Sequence, residues 1–202
     1  MTTEANATSA TETSPKMEMV NYRVDPGQSR VTVQAFAEGL LSAFGHDPIF
    51  QVRDFSGEAQ FVPGTFKAAS AKVTIKADSL SVIGDVKEKD RQEIERTVRA
   101  EVLETAKYPE IVFTSSRVMV SRLAGDRYRA IIIGELTLHG STQKNLWVST
   151  EVTINEEQLG AKGEFPVKQK DYGIKLVSVA GGTLKVKNEV KCTFDVVAVR
   201  QG

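Results

Sequence analysis

From Tyr22 onward, hydrophobic and polar residues alternate with a period of two along most of the chain. In the C-terminal run, Leu184, Val186, Asn188, Val190, Cys192, Phe194 and Val196 interleave with Lys185, Lys187, Glu189, Lys191, Thr193 and Asp195. This is the pattern of a strand with one buried and one solvated face, and Asn188 is the one strongly polar residue on the inward side. Leu146, Val148, Thr150, Val152 and Ile154 alternate in the same way, as do shorter runs at Val31-Val33-Ala35, Ala59-Phe61, Val73-Ile75-Ala77, Ile111-Phe113 and Leu159-Ala161-Gly163-Phe165-Val167. Near Tyr128, one face carries Ala130, Ile132, Gly134 and Leu136. Turn chemistry separates the runs at Asp25-Pro26-Gly27, Pro63-Gly64, Ala124-Gly125-Asp126, Gly140-Ser141 and Gly181-Gly182. About eight strands at this spacing predict a sandwich or a closed antiparallel barrel. The barrel is favoured because closure removes long exposed edges.

One segment departs from the period of two. Residues 86–104 contain neither Gly nor Pro and are rich in helix formers. Ile94, Val98 and Val102 recur at every fourth position, which predicts a narrow apolar stripe on an otherwise charged helix. Asp85 is the expected N-cap, and Tyr108-Pro109 marks the end, because a residue before proline avoids helical geometry. A lone helix in an all-β chain is expected to lie across an open end or a side of the barrel. The outer-face residues Ile131, Ile133, Val197 and Val199 need cover. The helix stripe is expected to shield one pair and a second copy of the chain the other, which points to a homodimer.

Composition narrows the class. The 202 residues hold 26 Lys+Arg against 26 Asp+Glu, two His and one Cys. Zero net charge argues against a nucleic-acid surface, and one Cys makes no internal disulfide. Residues 1–19 are rich in Thr, Ser, Ala and Glu and read as a disordered tail, leaving residues 20–202 as a single domain. The tail lacks the apolar block of a secretory signal. The longest aliphatic run, Ala130-Ile131-Ile132-Ile133, falls far short of the roughly 20 apolar residues of a membrane span. The expected location is therefore cytoplasmic, without stable membrane insertion.

Candidate chemistry is sparse. His46 and His139 share no ligand spacing, so no metal site is expected, and His139 beside Gly140 reads as an exposed strand-end residue. His46 and Asp47, in Phe44-Gly45-His46-Asp47-Pro48, are a candidate acid/base pair, although neighbours on an extended chain point opposite ways. No nucleophile elbow, phosphate loop or dinucleotide fingerprint occurs, and Cys192 reads as a buried apolar filler. Neither a catalytic residue nor a cofactor is expected. The aromatic residues fall among inward Val, Leu and Ile positions. An eight-stranded barrel has room for side chains or for one small ligand. Small inward residues such as Ala35, Ala59, Ala77, Ala130, Gly134, Ala161 and Gly163 predict unfilled space, hence an elongated cavity for an apolar ligand.

Several blocks then resemble one known family. Tyr22-Arg23-Val24-Asp25-Pro26-Gly27-Gln28-Ser29-Arg30-Val31 is similar to the first strand of the YceI-like family, the lipocalin-like, polyisoprenoid-binding proteins. Asp54-Phe55-Ser56-Gly57-Glu58-Ala59, Ala77-Asp78-Ser79-Leu80, Tyr108-Pro109-Glu110-Ile111-Val112-Phe113-Thr114-Ser115, Gly134 to Thr142 and Lys170-Asp171-Tyr172-Gly173-Ile174 follow in the family's order. The resemblance covers roughly residues 21–199, and its specificity lies in the ordered set. It implies an eight-stranded antiparallel lipocalin-like barrel with a helix beside it and a pocket for a long isoprenoid, often in a dimer. Two departures stand out. Many members carry a signal peptide, and many have Arg where this chain has Gln169.

The resulting expectation is a non-enzymatic carrier or sequestering protein for a long-chain apolar lipid such as a polyisoprenoid or an isoprenoid quinone. Its wall would be formed by Val33, Phe61, Ile75, Phe113, Ile132, Leu136, Val148, Phe165 and Phe194, with Phe44 and Ile174 nearer the mouth. His46, Asp47 and Gln169 would be polar groups at that mouth. Two alternatives stand beside it: an enzyme using His46 and Asp47 on a lipid-like or quinone-like substrate, and a structural or stress-response protein with a filled core.

Overall fold

The alternating segments pair in the order in which they occur along the chain. The computed structural model describes residues 18–38, 47–179 and 184–202. Strands β1 (Val20–Val24) and β2 (Arg30–Gln34) run in line along β14 (Glu189–Gln201), one against each half of it. The break between them is a short 3-10 turn, in which the Asp25 carboxylate accepts from the Gly27 N–H at 2.9 Å and from Gln28 Nε2 at 2.7 Å. In the same way β3 (Ala37–Glu38) precedes β4 (Ile49–Val52), which continues past Arg53-Asp54 into β5 (Phe55–Phe61). Strand β6 (Ser70–Lys76) bends at Ala77–Ser79 into β7 (Leu80–Ile83).

Four long strands follow: β8 (Glu110–Ala124), β9 (Arg127–Leu138), β10 (Ser141–Ile154) and β11 (Gln158–Lys168). With each bent pair taken as one strand, eight antiparallel strands close through the β1–β14 pairing. A small second sheet of β3, β12 (Ser178–Val179) and β13 (Leu184–Val186) stands at one end. The expected eight-stranded antiparallel barrel is therefore the observed fold.

Three local expectations need correction. The C-terminal strand does not run on from Leu184: β13 ends at Val186 and β14 begins at Glu189. Asn188, the polar residue on the inward face, causes the break. Its backbone carbonyl accepts from the Gln169 N–H at 2.8 Å and its Oδ1 from the Lys170 N–H at 2.9 Å. The helix, α1 (Glu88–Thr97), begins later than expected, with Lys87 and not Asp85 at the cap, and continues as a π-helical turn over Val98–Val102. Its stripe does not shield the outer-face residues. Ile94, Val98 and Val102 point into the barrel end.

The helix also finishes an open sheet edge. Among the described residues, strand β7 is the last in its row, paired only with β4, and an unpaired edge leaves backbone groups without partners. Glu95 Oε1 accepts from the Val82 N–H at 2.9 Å, and the Arg91 guanidinium donates to the Val82 carbonyl. Arg99 donates to the Asp78 carbonyl at 3.2 Å and pairs with Glu95 at 3.0 Å. The charged face of the helix thus grips the edge while its apolar stripe roofs the interior. On the outer wall, Ile133 is only 9% exposed, flanked by its cross-strand neighbours Trp147 and Arg117. Trp147 itself is 60% exposed. Among the described residues, no helix is long and apolar enough to cross a membrane.

Candidate functional site

The inward faces leave two adjoining cavities. The larger, about 520 Å³, lies at the end closed by α1 and the small sheet; the smaller, about 250 Å³, lies toward the opposite end. Val31, Ile75, Ile111, Leu136, Phe165 and Phe194 border both and form a waist between them. The rings of Phe165 and Phe194 stand 6.4 Å apart there, tilted by 55°. The volume of the larger cavity is within the usual range of ligand pockets.

The cavities explain why many inward side chains are only partly buried. Val33, Ile75, Phe165, Cys192 and Phe194 face space within the barrel and are only half-buried despite their position. Apolar atoms facing a void lack packing partners. Cys192 borders the large cavity, where burial pushes its thiol up to about 12, so it stays protonated and unreactive as a nucleophile.

Of the expected wall residues, Val33 and Ile174 border the large cavity, and Phe61, Phe113, Ile132 and Val148 the small one. Ile75, Leu136, Phe165 and Phe194 sit at the waist. Gln169 borders the large cavity at 8% exposure, with its Nε2 donating to the Lys187 carbonyl at 2.9 Å. Phe44 and His46 lie outside the described residues, as does the Gly181-Gly182 turn. Asp47 is exposed, and its Oδ1 accepts from the Ala37 N–H at 2.8 Å. That bond ties the start of β4 to β3.

The expected source of free space is partly wrong. A Cβ on Gly134 would fall within 2.7 Å of the Phe113 ring, and one on Gly163 would meet the Phe194 ring at 2.7 Å. Both glycines are therefore covered by a neighbouring strand's aromatic ring. Of the expected alanines, Ala35, Ala59, Ala130 and Ala161 border the space that remains, whereas Ala77 borders neither cavity.

Two features of the site carry weak or no sequence signals. The helix supplies Ile94, Thr97, Val98, Val102 and Leu103 as the roof of the large cavity; its stripe was visible, but not the surface it covers. His139 is not an exposed strand-end residue, because its side chain is only 12% exposed. A positive φ of 51° at His139 turns the chain into Gly140. The ring packs 4.5 Å from Tyr108, with Nε2 2.6 Å from Glu104 Oε2 and Nδ1 3.2 Å from the Tyr172 carbonyl. It clasps the end of the helical segment to β9 and to the 3-10 turn Gln169–Tyr172. Among the described residues, no three His, Cys, Asp or Glu side chains are grouped to hold a metal.

Known structures share this architecture. BcnA from Burkholderia cenocepacia is 21% identical, with a TM-score of 0.64 over 86% of this chain and 98% of that one. A polyisoprenoid binding domain from Saccharophagus degradans is 16% identical, with a TM-score of 0.64 over 89% and 98%. The YCEI protein of Campylobacter jejuni is 17% identical, with a TM-score of 0.54 over 76% and 85%. At these identities the likeness establishes the fold. No curated protein matches the chain by sequence. The model of one family, described as YceI-like domain, matches residues 22–198, so nearly all of the barrel is covered and the chain belongs to the YceI-like domain family.

Proposed function

We propose that the protein binds a long-chain apolar amphiphile, such as a polyisoprenoid or an isoprenoid quinone, inside the barrel and carries or sequesters it. The observation that carries this reading is the pair of adjoining apolar cavities. A flexible tail threading the waist would supply the missing packing partners and remove its own surface from water, at about 25 cal/mol per Å² before ordering costs. The likeness to a polyisoprenoid binding domain supports the same ligand class. A filled core, by contrast, is at odds with the two cavities.

The polar group of the ligand belongs at the large cavity, where Glu93 and Lys185 bring opposite charges and Gln169 brings none. That set fits an alcohol or quinone head better than a diphosphate, which calls for an excess of cationic donors. The exposed Trp147, with Ile131 beside it on the outer wall, fits contact with a second copy of the chain. A single-chain mass at micromolar concentration would contradict that contact. For the ligand, the test is native mass spectrometry of the full chain purified without detergent. A bound lipid released on unfolding is expected. A protein that stays empty and takes up no added prenol would overturn the reading.

A further inference from the structure

The far end of the barrel carries a side chain that reads as a stop. The turn between β5 and β6 contains Phe66 at a φ of 52°, a left-handed conformation that bulky residues rarely adopt. It is held there by the Phe66 N–H donating to the Val62 carbonyl at 2.8 Å and the Val62 N–H donating to the Lys67 carbonyl at 3.1 Å. The neighbouring turn residues 63–65, 67 and 68 are exposed, yet the Phe66 ring turns inward and borders the small cavity.

The ring lies 5.4 Å from Phe61 on β5 and 5.0 Å, edge-on, from Tyr128 on β9. Two strands, β6 and β8, separate β5 from β9 in the sheet. A ring touching both therefore spans the barrel end and does not simply cover one strand. We propose that Phe66 is the specificity-determining residue that limits the length of the bound tail: it is the floor against which a tail entering from the large cavity ends. This rests on the proposed binding of prenyl lipids within the barrel.

The variant Phe66→Gly removes the floor and places at a positive φ the residue that tolerates it best. Phe66→Trp enlarges the floor. The full chain of each, stripped of lipid, is incubated with prenols from farnesol to undecaprenol, and retained ligand is read by native mass spectrometry. Wild-type retention should fall beyond a limiting length. Phe66→Gly should move that limit to longer prenols, raising their retention about tenfold, and Phe66→Trp should move it to shorter ones. If Phe66→Gly fails to fold, the Trp variant alone decides. Equal limits in all folded variants, or a uniform loss at every length, would overturn the stop while leaving barrel binding intact. If no prenol is retained by any of them, the binding reading itself fails.

Discussion

At the wide end the barrel is roofed by a helix that side-chain bonds hold to an open strand edge, whereas at the narrow end one turn folds a single ring across the opening. The wide cavity has polar groups on its border, among them Glu93, Gln169 and Lys185; the border of the narrow one is dominated by Val, Ile, Ala and Phe. On the proposed reading the difference would separate two tasks within one tube. A polar head would find partners at the wide end. At the other, a tail would meet the Phe66 ring and a border that is mostly apolar, with Glu58, Gln60, Ser70 and Thr150 as its polar members.

The largest effect is expected where the two regions meet. Leu136 lies at the waist, and Leu136→Glu puts an unpaired carboxylate there. Tail retention should be lost, with destabilisation of about 3–5 kcal/mol, both measurable by ligand uptake and denaturant unfolding. Retention at the wild-type level would show that ligands do not cross the waist.

A smaller effect separates the cavities. Ala161→Phe fills part of the narrow one, at a packing cost of about 1–3 kcal/mol, and should exclude long prenols while sparing short ones. Val167→Phe in the wide cavity should weaken all lengths alike. Equal length profiles for the two variants would erase the distinction.

The clasp at the wide end is open to its own test. His139→Ala removes the bonds to Glu104 and Tyr172 and should cost about 1–3 kcal/mol. Amide exchange should quicken in the π-helical turn and stay unchanged in the turn that holds Phe66.

The last effect is nil at neutral pH and appears only in alkali. Burial raises the Cys192 thiol from 9.0 to about 12, so unfolding favours its ionised form between those values. Stability linked to this group is full below about pH 9 and declines as pH rises toward about 12. Burial raises Tyr22 and Tyr172 as well, adding to the alkaline decline. Cys192→Ala should therefore lose melting temperature less steeply above pH 9 than the wild type does.

Much of this molecule was legible in its amino-acid order, because strand parity is a local property. The alternation around Val148, Phe165 and Phe194 put the right side chains on the inside. What parity does not contain is the path of a side chain after it leaves its strand. Phe113 and Phe194 lean over Gly134 and Gly163, so two positions that read as empty are covered. His139 reads as a strand end until Glu104 and Tyr172 arrive from distant segments. Phe66 is one phenylalanine among nine, and its only sequence signal is an aromatic residue placed just after Pro63-Gly64 in a turn.

The most direct test of barrel binding is an experimental structure of the full chain with geranylgeraniol. The expected result is continuous density that begins beside Gln169, crosses the waist alongside Phe165 and Phe194, and ends short of Phe66. Prenol seated only on the outer wall near Trp147, with both cavities free of it, would contradict the proposal.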